Sequence, residues 1–255
     1  MLIQPILDTL NRLKLLGMAL AFSEQMTQSA AQELAFEERL TLLLEREQLH
    51  RENRRLTRLL QLAQLKERAA VIEDIDYRSR RGLDRSQFTS LGSCEWIRAG
   101  QSLLIQGATG CGKTYLACAL AHQACRQGLS AWYVRAPRLF EELALCHADG
   151  SFPKRLAAIA KVQLLVIDDF AIAPIGARER SDLLELLDDR GGTRATIITS
   201  QLPIEHWHEY IGDATLADAI LDRLVHRSHR IHLQGKDSMR GRKTAATKEA
   251  TVVHD

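Results

Sequence analysis

The first seventy residues repeat apolar side chains at the spacing of a helix. Leucines and one isoleucine recur three and four residues apart along 2–20, and a second series of leucines runs along 34–65. This period places the apolar side chains on one helical face. Ser29 is a suitable N-cap for the second helix, because its hydroxyl can accept a hydrogen bond from a free backbone N–H. Residues 1–70 are therefore predicted to form a small all-α domain.

The pattern changes after residue 70 and changes again at Gln101. Residues 71–100 are interpreted as a connector. Five short apolar runs typical of buried strands follow, at 102–106, 131–135, 163–168, 194–199 and 229–233. Helical patterns separate most of them, at 114–127, 137–146 and 178–190. This alternation predicts an α/β domain over 71–234, with a five-stranded parallel sheet flanked by helices. The polar residues 235–255 are predicted to be a mobile tail.

A glycine-rich segment follows the first predicted strand and opens a helix. It reads Gly-Ala-Thr-Gly-Cys-Gly-Lys-Thr over 107–114, the pattern of a phosphate-binding P-loop. Glycines let the backbone turn its N–H groups towards phosphate oxygens. Lys113 can then reach the β- and γ-phosphates of ATP, and the Thr114 hydroxyl can bind Mg²⁺. The alternative is a glycine-rich turn that matches the motif by chance, which the flanking strand and helix disfavour. Nucleotide contacts are predicted for Gly107, Ala108, Thr109, Gly110, Cys111, Gly112, Lys113, Thr114 and Tyr115.

A second motif lies about fifty residues further along the chain, where an apolar strand ends in two acids. Asp168 is predicted to hold Mg²⁺, directly or through water, as in P-loop nucleoside triphosphatases. Asp169 is predicted to polarise the water that attacks the γ-phosphate. Two solvated acids at a strand end are the alternative, which the P-loop upstream disfavours.

Two further positions are candidates for sensing or stabilising the γ-phosphate. Ser200 ends the strand predicted to lie beside the P-loop strand, although many strands end in Ser or Thr without a function. Arg223 can act as an arginine finger that reaches the γ-phosphate of a neighbouring subunit. The alternative for this region is a surface salt bridge between Asp222 and a nearby arginine.

Charge is almost balanced over the chain, with a formal net charge of +2, so bulk charge does not indicate a nucleic-acid partner. Its distribution is more informative. Arg51, Arg54, Arg55 and Arg58 share one helical face, which can follow DNA phosphates without reading bases. A solvated face, partly neutralised by nearby glutamates, is the alternative. The same two interpretations hold for the basic residues Arg227, Arg230, Lys236, Arg242 and Lys243.

The cysteines and the length of the apolar runs bear on the compartment. Five cysteines occur without a CxxC pair, which suits a reducing cytoplasm better than a disulfide framework. No apolar run approaches the roughly 20 residues needed to span a bilayer. A cytoplasmic protein without a membrane partner is therefore predicted.

Six segments of the chain carry a resemblance to a known family. They are 36–40, 51–56, 96–98, 114–120, 199–203 and 213–226. They resemble the IstB-like ATP-binding proteins, which assist the transposition of insertion sequences, and the resemblance runs from about residue 5 to Arg240. More distantly, the ATPase half is similar to DnaC-type helicase loaders and to the initiator DnaA.

The resemblance implies an AAA+ ATPase that forms a homo-oligomer on duplex DNA with ATP and helps a partner transposase, IstA, to insert the element. On this mapping Ser200 is sensor 1 and Arg223 is the arginine finger, whereas the role of Arg240 stays open because the helical lid of larger AAA+ proteins is missing. Asp169 stands where most AAA+ proteins have glutamate, which suits slow, DNA-stimulated hydrolysis. A helicase loader that prefers single-stranded DNA is the alternative. A small-molecule kinase is disfavoured, because nothing resembles an acceptor site.

Overall fold

The computed structural model describes residues 3–28, 31, 33–78 and 81–234. These residues divide into two compact units, and the boundary lies between Arg58 and Leu59. None of the helices within the described ranges is both long enough and apolar enough to cross a membrane. The predicted cytoplasmic location stays a prediction.

The first unit contains α1 (Ile3–Arg12), α2 (Leu16–Thr27) and most of α3 (Phe36–Ala63). The apolar series along 2–20 is divided between two helices, because the backbone at Lys14 takes a left-handed conformation with φ 58°. Helices α2 and α3 approach closely at Gly17, where an added Cβ would lie 2.6 Å from the Arg46 carbonyl oxygen. The helical character of the N-terminal region is confirmed. Ser29, the predicted N-cap, lies outside the described residues.

The second unit begins within α3, earlier than the predicted boundary at residue 70. The reason is burial: Ala63, Leu65 and Ala70 are at most 4% exposed. The chain also leaves the helix after Ala63, and Gln64 has a left-handed φ of 51°. The last turn of α3 and the segment after it therefore belong to the second unit. The DNA contacts predicted for the arginines of α3, and the predicted homo-oligomer, stay predictions.

The segment predicted as a connector is folded. It contains a 3₁₀ turn (Ile72–Asp74), α4 (Arg85–Leu91) and α5 (Glu95–Arg98). Asp84 caps α4 by accepting a hydrogen bond from the Ser86 N–H at 2.8 Å. The interpretation as a plain connector was wrong, because these short helices bury four large side chains. These are Phe88, Leu91, Trp96 and Ile97.

In the part of the chain that the structure describes, the sheet has five strands, and every neighbouring pair is parallel. The strands are β1 (Ser102–Gly107), β2 (Ala131–Arg135), β3 (Leu164–Phe170), β4 (Ala195–Ser200) and β5 (Ser228–Leu233). Their order is β2-β3-β4-β1-β5. The predicted five-stranded parallel sheet is therefore confirmed. Because parallel strands end at the same edge, the P-loop after β1 and the acids of β3 lie at one edge, separated by β4.

Within the described residues, six further helices follow α5. They are α6 (Lys113–Arg126), α7 (Ala136–Asp149), α8 (Phe152–Lys161), α9 (Ala177–Arg190), α10 (Trp207–Ile211) and α11 (Ala214–Val225). Helices α6, α7 and α9 match predicted helical patterns. Helices α8, α10 and α11 were not among them. The last described residue, Gln234, directly follows β5, so the predicted tail and Arg240 lie outside the described residues. The prediction that the helical lid is missing also concerns the chain after Gln234 and stays a prediction.

Candidate nucleotide-binding site

The P-loop connects β1 to α6 with a backbone that requires glycine. Gly110 and Gly112 have φ values of 85° and 96°, a region that side chains rarely tolerate. At Gly107 an added Cβ would lie 2.6 Å from the Leu233 carbonyl oxygen on β5. Gly112 is the N-cap of the 14-residue helix α6, so the positive end of that helix lies at the loop.

Lys113 lies at the loop rather than in solvent. It is 6% exposed, and its Nζ donates to the carbonyl oxygens of Gly107 at 2.7 Å and Ala108 at 2.9 Å. An ammonium group has three donors on a flexible stem, so it can exchange these carbonyls for phosphate oxygens. The position of Lys113 fits its predicted role.

Two other residues predicted to contact nucleotide lie in or beside the loop. Cys111 is buried, and Tyr115 lies in the first turn of α6, where burial raises the pKa of its phenol. Their predicted contacts with nucleotide remain predictions.

Asp168 is fully buried and joins the P-loop helix to the sheet. Its carboxylate accepts hydrogen bonds from three hydroxyls: Thr114 at 2.9 and 3.0 Å, Tyr133 at 2.6 Å and Thr199 at 2.5 Å. Burial, together with the bond to Asp168, raises the pKa of the Tyr133 phenol, which therefore stays protonated and donates. The predicted pair of Thr114 and Asp168 is thus in direct contact.

Sequence reasoning missed Tyr133 and Thr199. Tyr133 lies in the middle of β2 and Thr199 near the carboxyl end of β4, and these two strands flank β3. For Thr199, a polar side chain at a strand end was the available signal, since neighbouring parallel strands end at one edge of a sheet.

Asp169 follows Asp168 but has different partners, because β3 is irregular here. The register with β4 shifts between Ile167 and Phe170, and Asp169 has a left-handed φ of 57°. Its N–H donates to the Thr199 hydroxyl at 3.1 Å, and its carboxylate accepts from Arg135 Nε at 2.9 Å. The side chain is 18% exposed, so it can meet water, as its predicted role requires.

The backbone at the end of β3 is held by aromatic packing. Ala171 is also left-handed, with φ 61°. Phe170, between the two left-handed residues, is 1% exposed. Its ring packs edge-on against Trp207 and Tyr210, with centroid distances of 4.8 and 5.5 Å. A strained backbone persists where surrounding contacts fix it, as they do here.

We expect Asp169→Asn to retain ATP binding and to lower hydrolysis by about 10²-fold or more, the usual contribution of general base catalysis. Asparagine tolerates a left-handed backbone as aspartate does, so the change removes the charge and leaves the turn intact. Nucleotide titration and single-turnover hydrolysis measure the two effects. Rapid turnover in this variant would exclude Asp169 as the base.

We expect Arg135→Gln to raise basal hydrolysis by a factor of up to about five. Exposed ion pairs contribute about 0.2–1 kcal/mol, which corresponds to this range, and removing the arginine frees the Asp169 carboxylate to turn towards water. Steady-state phosphate release measures the change. Arg138→Gln, on the first turn of α7, is the matched control. Slower hydrolysis in Arg135→Gln alone would mean that Arg135 holds Asp169 in its working position.

Ser200 ends β4 as predicted, but its hydroxyl is bonded to backbone groups. It donates to the Phe170 carbonyl at 2.9 Å and accepts from the Leu202 N–H at 3.1 Å. The side chain that contacts the P-loop from this strand end is Gln201, whose Oε1 accepts from the Thr109 hydroxyl at 2.7 Å. Gln201 was not among the predicted site residues, because the prediction placed the polar contact of this strand end at Ser200, one residue earlier. The sensor role of Ser200 stays a prediction.

Arg223 lies on α11, where it has partners in its own chain. Its Nε donates to Asp188 on α9, and its Nη1 donates to the Ala219 carbonyl at 2.8 Å. A salt bridge therefore exists, with Asp188 rather than the Asp222 considered from sequence. The side chain remains one-third exposed. The role of Arg223 towards a neighbouring subunit stays a prediction.

One arginine of the predicted basic face of α3 has a buried partner. Arg51 Nε lies 2.6 Å from Oε1 of Glu47, a buried residue that also accepts the Met18 N–H at 3.1 Å, so Arg51 helps to join α2 and α3. Arg54, Arg55 and Arg58 are exposed. In the second basic region, Arg227 and Arg230 are exposed. Lys236, Arg242 and Lys243 lie outside the described residues.

A P-loop at the end of β1, a buried acid on β3 in contact with the P-loop threonine, and a parallel sheet define a P-loop ATPase. The sequence profile of the IstB-like ATP-binding proteins matches residues 8–247. The chain therefore belongs to this family of AAA+ ATPases, as its motifs predicted. An insertion-sequence ATP-binding protein of Sinorhizobium fredii is 50% identical over 243 residues, which cover 95% of this chain and 99% of that protein.

Solved structures share the fold. The crystal structure of DnaI aligns with a TM-score of 0.56 and 22% identity, over 70% of this chain and 94% of DnaI. The crystal structure of the DnaC helicase loader aligns with a TM-score of 0.51 and 18% identity, over 64% of this chain and 96% of that structure. The predicted relationship to DnaC is confirmed at the level of the fold.

Proposed function

We propose that this chain is an ATP-gated DNA-binding ATPase that assembles as a homo-oligomer on duplex DNA and helps an IstA-like transposase to select its target or insert the element. The observation that carries the proposal is the convergence of Lys113, Thr114 and Asp168 at the P-loop. This arrangement can bind the phosphates of ATP and so make assembly depend on the nucleotide.

Magnesium fits the same cluster. Mg²⁺ takes oxygen ligands and is usually bound by one or two protein groups together with phosphate oxygens and waters. Among the described residues, the hydrogen-bond partners of the buried Asp168 carboxylate are hydroxyls, so a cation there would meet an oxygen-rich site. Thr114 and Asp168 would hold the ion, which supplies charge neutralisation for the phosphates.

Duplex DNA fits the exposed arginines of α3. A stripe of guanidinium groups neutralises phosphates irrespective of base sequence. The first test is the particle mass by light scattering, with and without a duplex of about 50 base pairs, long enough for many phosphate contacts, in ATP and then in ADP. Growth that requires both ATP and duplex supports the proposal. A mass that ignores duplex DNA contradicts it.

A helicase loader is the second candidate, because the second unit shares its fold with the DnaC helicase loader. Such a protein would respond to single strands or to a replicative helicase. The match to the insertion-sequence relative extends over 95% of this chain, including the helical first unit, and therefore favours transposition. The same scattering experiment with single-stranded DNA separates the two.

We expect Arg54→Gln with Arg58→Gln to weaken duplex binding equally for unrelated sequences. Each phosphate contact contributes about 0.9 to the slope of log K against log salt, so the double change should flatten that slope by about 1 to 2. Binding isotherms at several salt concentrations measure the slope. Arg12→Gln with Lys14→Gln removes the same charge near α1 and is the control. An unchanged slope would indicate that the basic face of α3 is solvated and does not contact DNA phosphates.

A further inference from the structure

We propose that Arg81 is a positioning residue of the P-loop. Its guanidinium group donates from Nη1 to the Cys111 carbonyl and from Nη2 to the Asp76 carbonyl, both at 3.0 Å. The residue is 5% exposed. Both hydrogen bonds end on backbone carbonyls, one of them within the P-loop. The proposal rests on the nucleotide site described above and assigns that site a residue outside its motif.

The main chain at Arg81 is fixed to the sheet. The Arg81 carbonyl accepts a hydrogen bond from the Gln234 N–H at 2.7 Å. Gly82 is left-handed, with φ 73°, and an added Cβ there would lie 3.2 Å from the His232 carbonyl oxygen. The strand that carries His232 pairs with β1 as far as Gly107. Arg81 therefore reaches the P-loop from a segment anchored at β5, the strand next to β1.

The Cys111 carbonyl matters because it belongs to the peptide bond that carries the Gly112 N–H. A trans peptide is planar, so its C=O and N–H point in opposite directions. When Arg81 holds the carbonyl, the Gly112 N–H must point away from Arg81. A phosphate-binding loop depends on N–H groups held in a fixed direction. Gly112 itself, with φ 96°, has little steric resistance to rotation, so an external contact is needed to fix this peptide.

A positioning role differs from a contribution of charge alone. Arginine presents a planar fork that reaches two separate carbonyls, whereas lysine keeps the charge as a single donor group. Arg81→Lys and Arg81→Met should therefore both loosen the loop if the fork matters. If only positive charge near the phosphates matters, Arg81→Lys should behave like the unaltered chain.

The test uses the full chain and two readouts. The first is the Kd for ATP by calorimetry, which we expect to rise about tenfold or more in both Arg81 variants, as for the loss of hydrogen bonds from a charged group. The second is the alkylation rate of each cysteine by mass spectrometry without nucleotide. Cys111, Cys118 and Cys125 are all at most 3% exposed. We expect only Cys111 to become more reactive. Arg98→Met, an exposed arginine in the same unit, is the control.

Three results would overturn the proposal. They are an ATP affinity of both Arg81 variants within about twofold of the control, an Arg81→Lys variant with the ATP affinity and alkylation rates of the unaltered chain, or an equal rise in alkylation rate at all three cysteines. The last indicates general destabilisation rather than a looser P-loop. Failure of the unaltered chain to bind ATP refutes the nucleotide site itself. In that case the cysteine comparison still decides whether Arg81 holds the loop.

Discussion

Lys113→Ala is expected to remove ATP binding, with a loss of affinity of about 10²- to 10⁴-fold. Hydrogen bonds to charged groups contribute about 1.5–3 kcal/mol each, and two of them give this range. The ammonium group already lies at the loop, 2.7 Å from the Gly107 carbonyl oxygen, so the substitution removes both a phosphate donor and a contact within the loop. Calorimetric titration with ATP measures the loss.

The same substitution tests whether assembly depends on nucleotide. Under the proposed function, the particle mass of the Lys113→Ala variant should not grow in the presence of ATP and duplex DNA. Lys161→Ala, an exposed lysine at the end of α8, is the control and should assemble normally. Growth of the Lys113→Ala particle with ATP would refute the assignment of the P-loop. Thermal unfolding of both variants establishes that the fold is retained.

Arg223→Ala is expected to lower hydrolysis in the assembled particle by about 10³-fold or more, the usual contribution of an arginine finger. ATP binding by the isolated chain should be unchanged. Because the Arg223 side chain is one-third exposed and bonded to Asp188 in its own chain, it must leave that partner to reach a neighbouring subunit. Single-turnover hydrolysis with and without duplex DNA measures the effect.

Two variants separate a finger from a structural ion pair. Asp188→Asn removes the ion pair and keeps Arg223, so hydrolysis should be retained if Arg223 acts on a neighbour. Mixing Arg223→Ala with Asp169→Asn should restore part of the activity, because the second variant supplies the arginine and the first supplies the acid. The opposite result is a mixture that recovers no activity together with an Asp188→Asn variant that hydrolyses ATP as slowly as Arg223→Ala. It would mean that Arg223 acts only through its ion pair within its own chain.

The sheet was predictable because its signal is local. Each buried strand is a short apolar run between helical patterns, and the P-loop marks the end of the first one. The segment 71–100 was misread because α4 and α5 are only seven and four residues long, too short for a helical period to appear. The start of the second unit within α3 was not predictable either, since it depends on which side chains the tertiary structure buries.

Within the site, the residues of a contiguous motif were predictable and their partners were not. Thr114 and Asp168 follow from their motifs and are in contact. Tyr133 and Arg135 lie on β2 and Gln201 directly follows β4, so these residues are distant in sequence and only the strand order brings them together. The Ser200 hydroxyl illustrates the limit: a strand-end position can be predicted, but the direction in which its side chain bonds depends on the neighbouring strand.

The left-handed turn at the end of β3 has a consequence for how this sequence can diverge. Asp169 and Ala171 hold an unfavourable backbone around Phe170, and that ring rests on Trp207 and Tyr210, nearly forty residues later. Left-handed conformations cost an ordinary residue roughly 1–2 kcal/mol, so the turn depends on this packing. A substitution of Trp207 or Tyr210 would therefore change the position of Asp169 without changing the residues of its motif. Among sequences that descend from this one, Phe170, Trp207, Tyr210 and Asp169 should therefore be retained together.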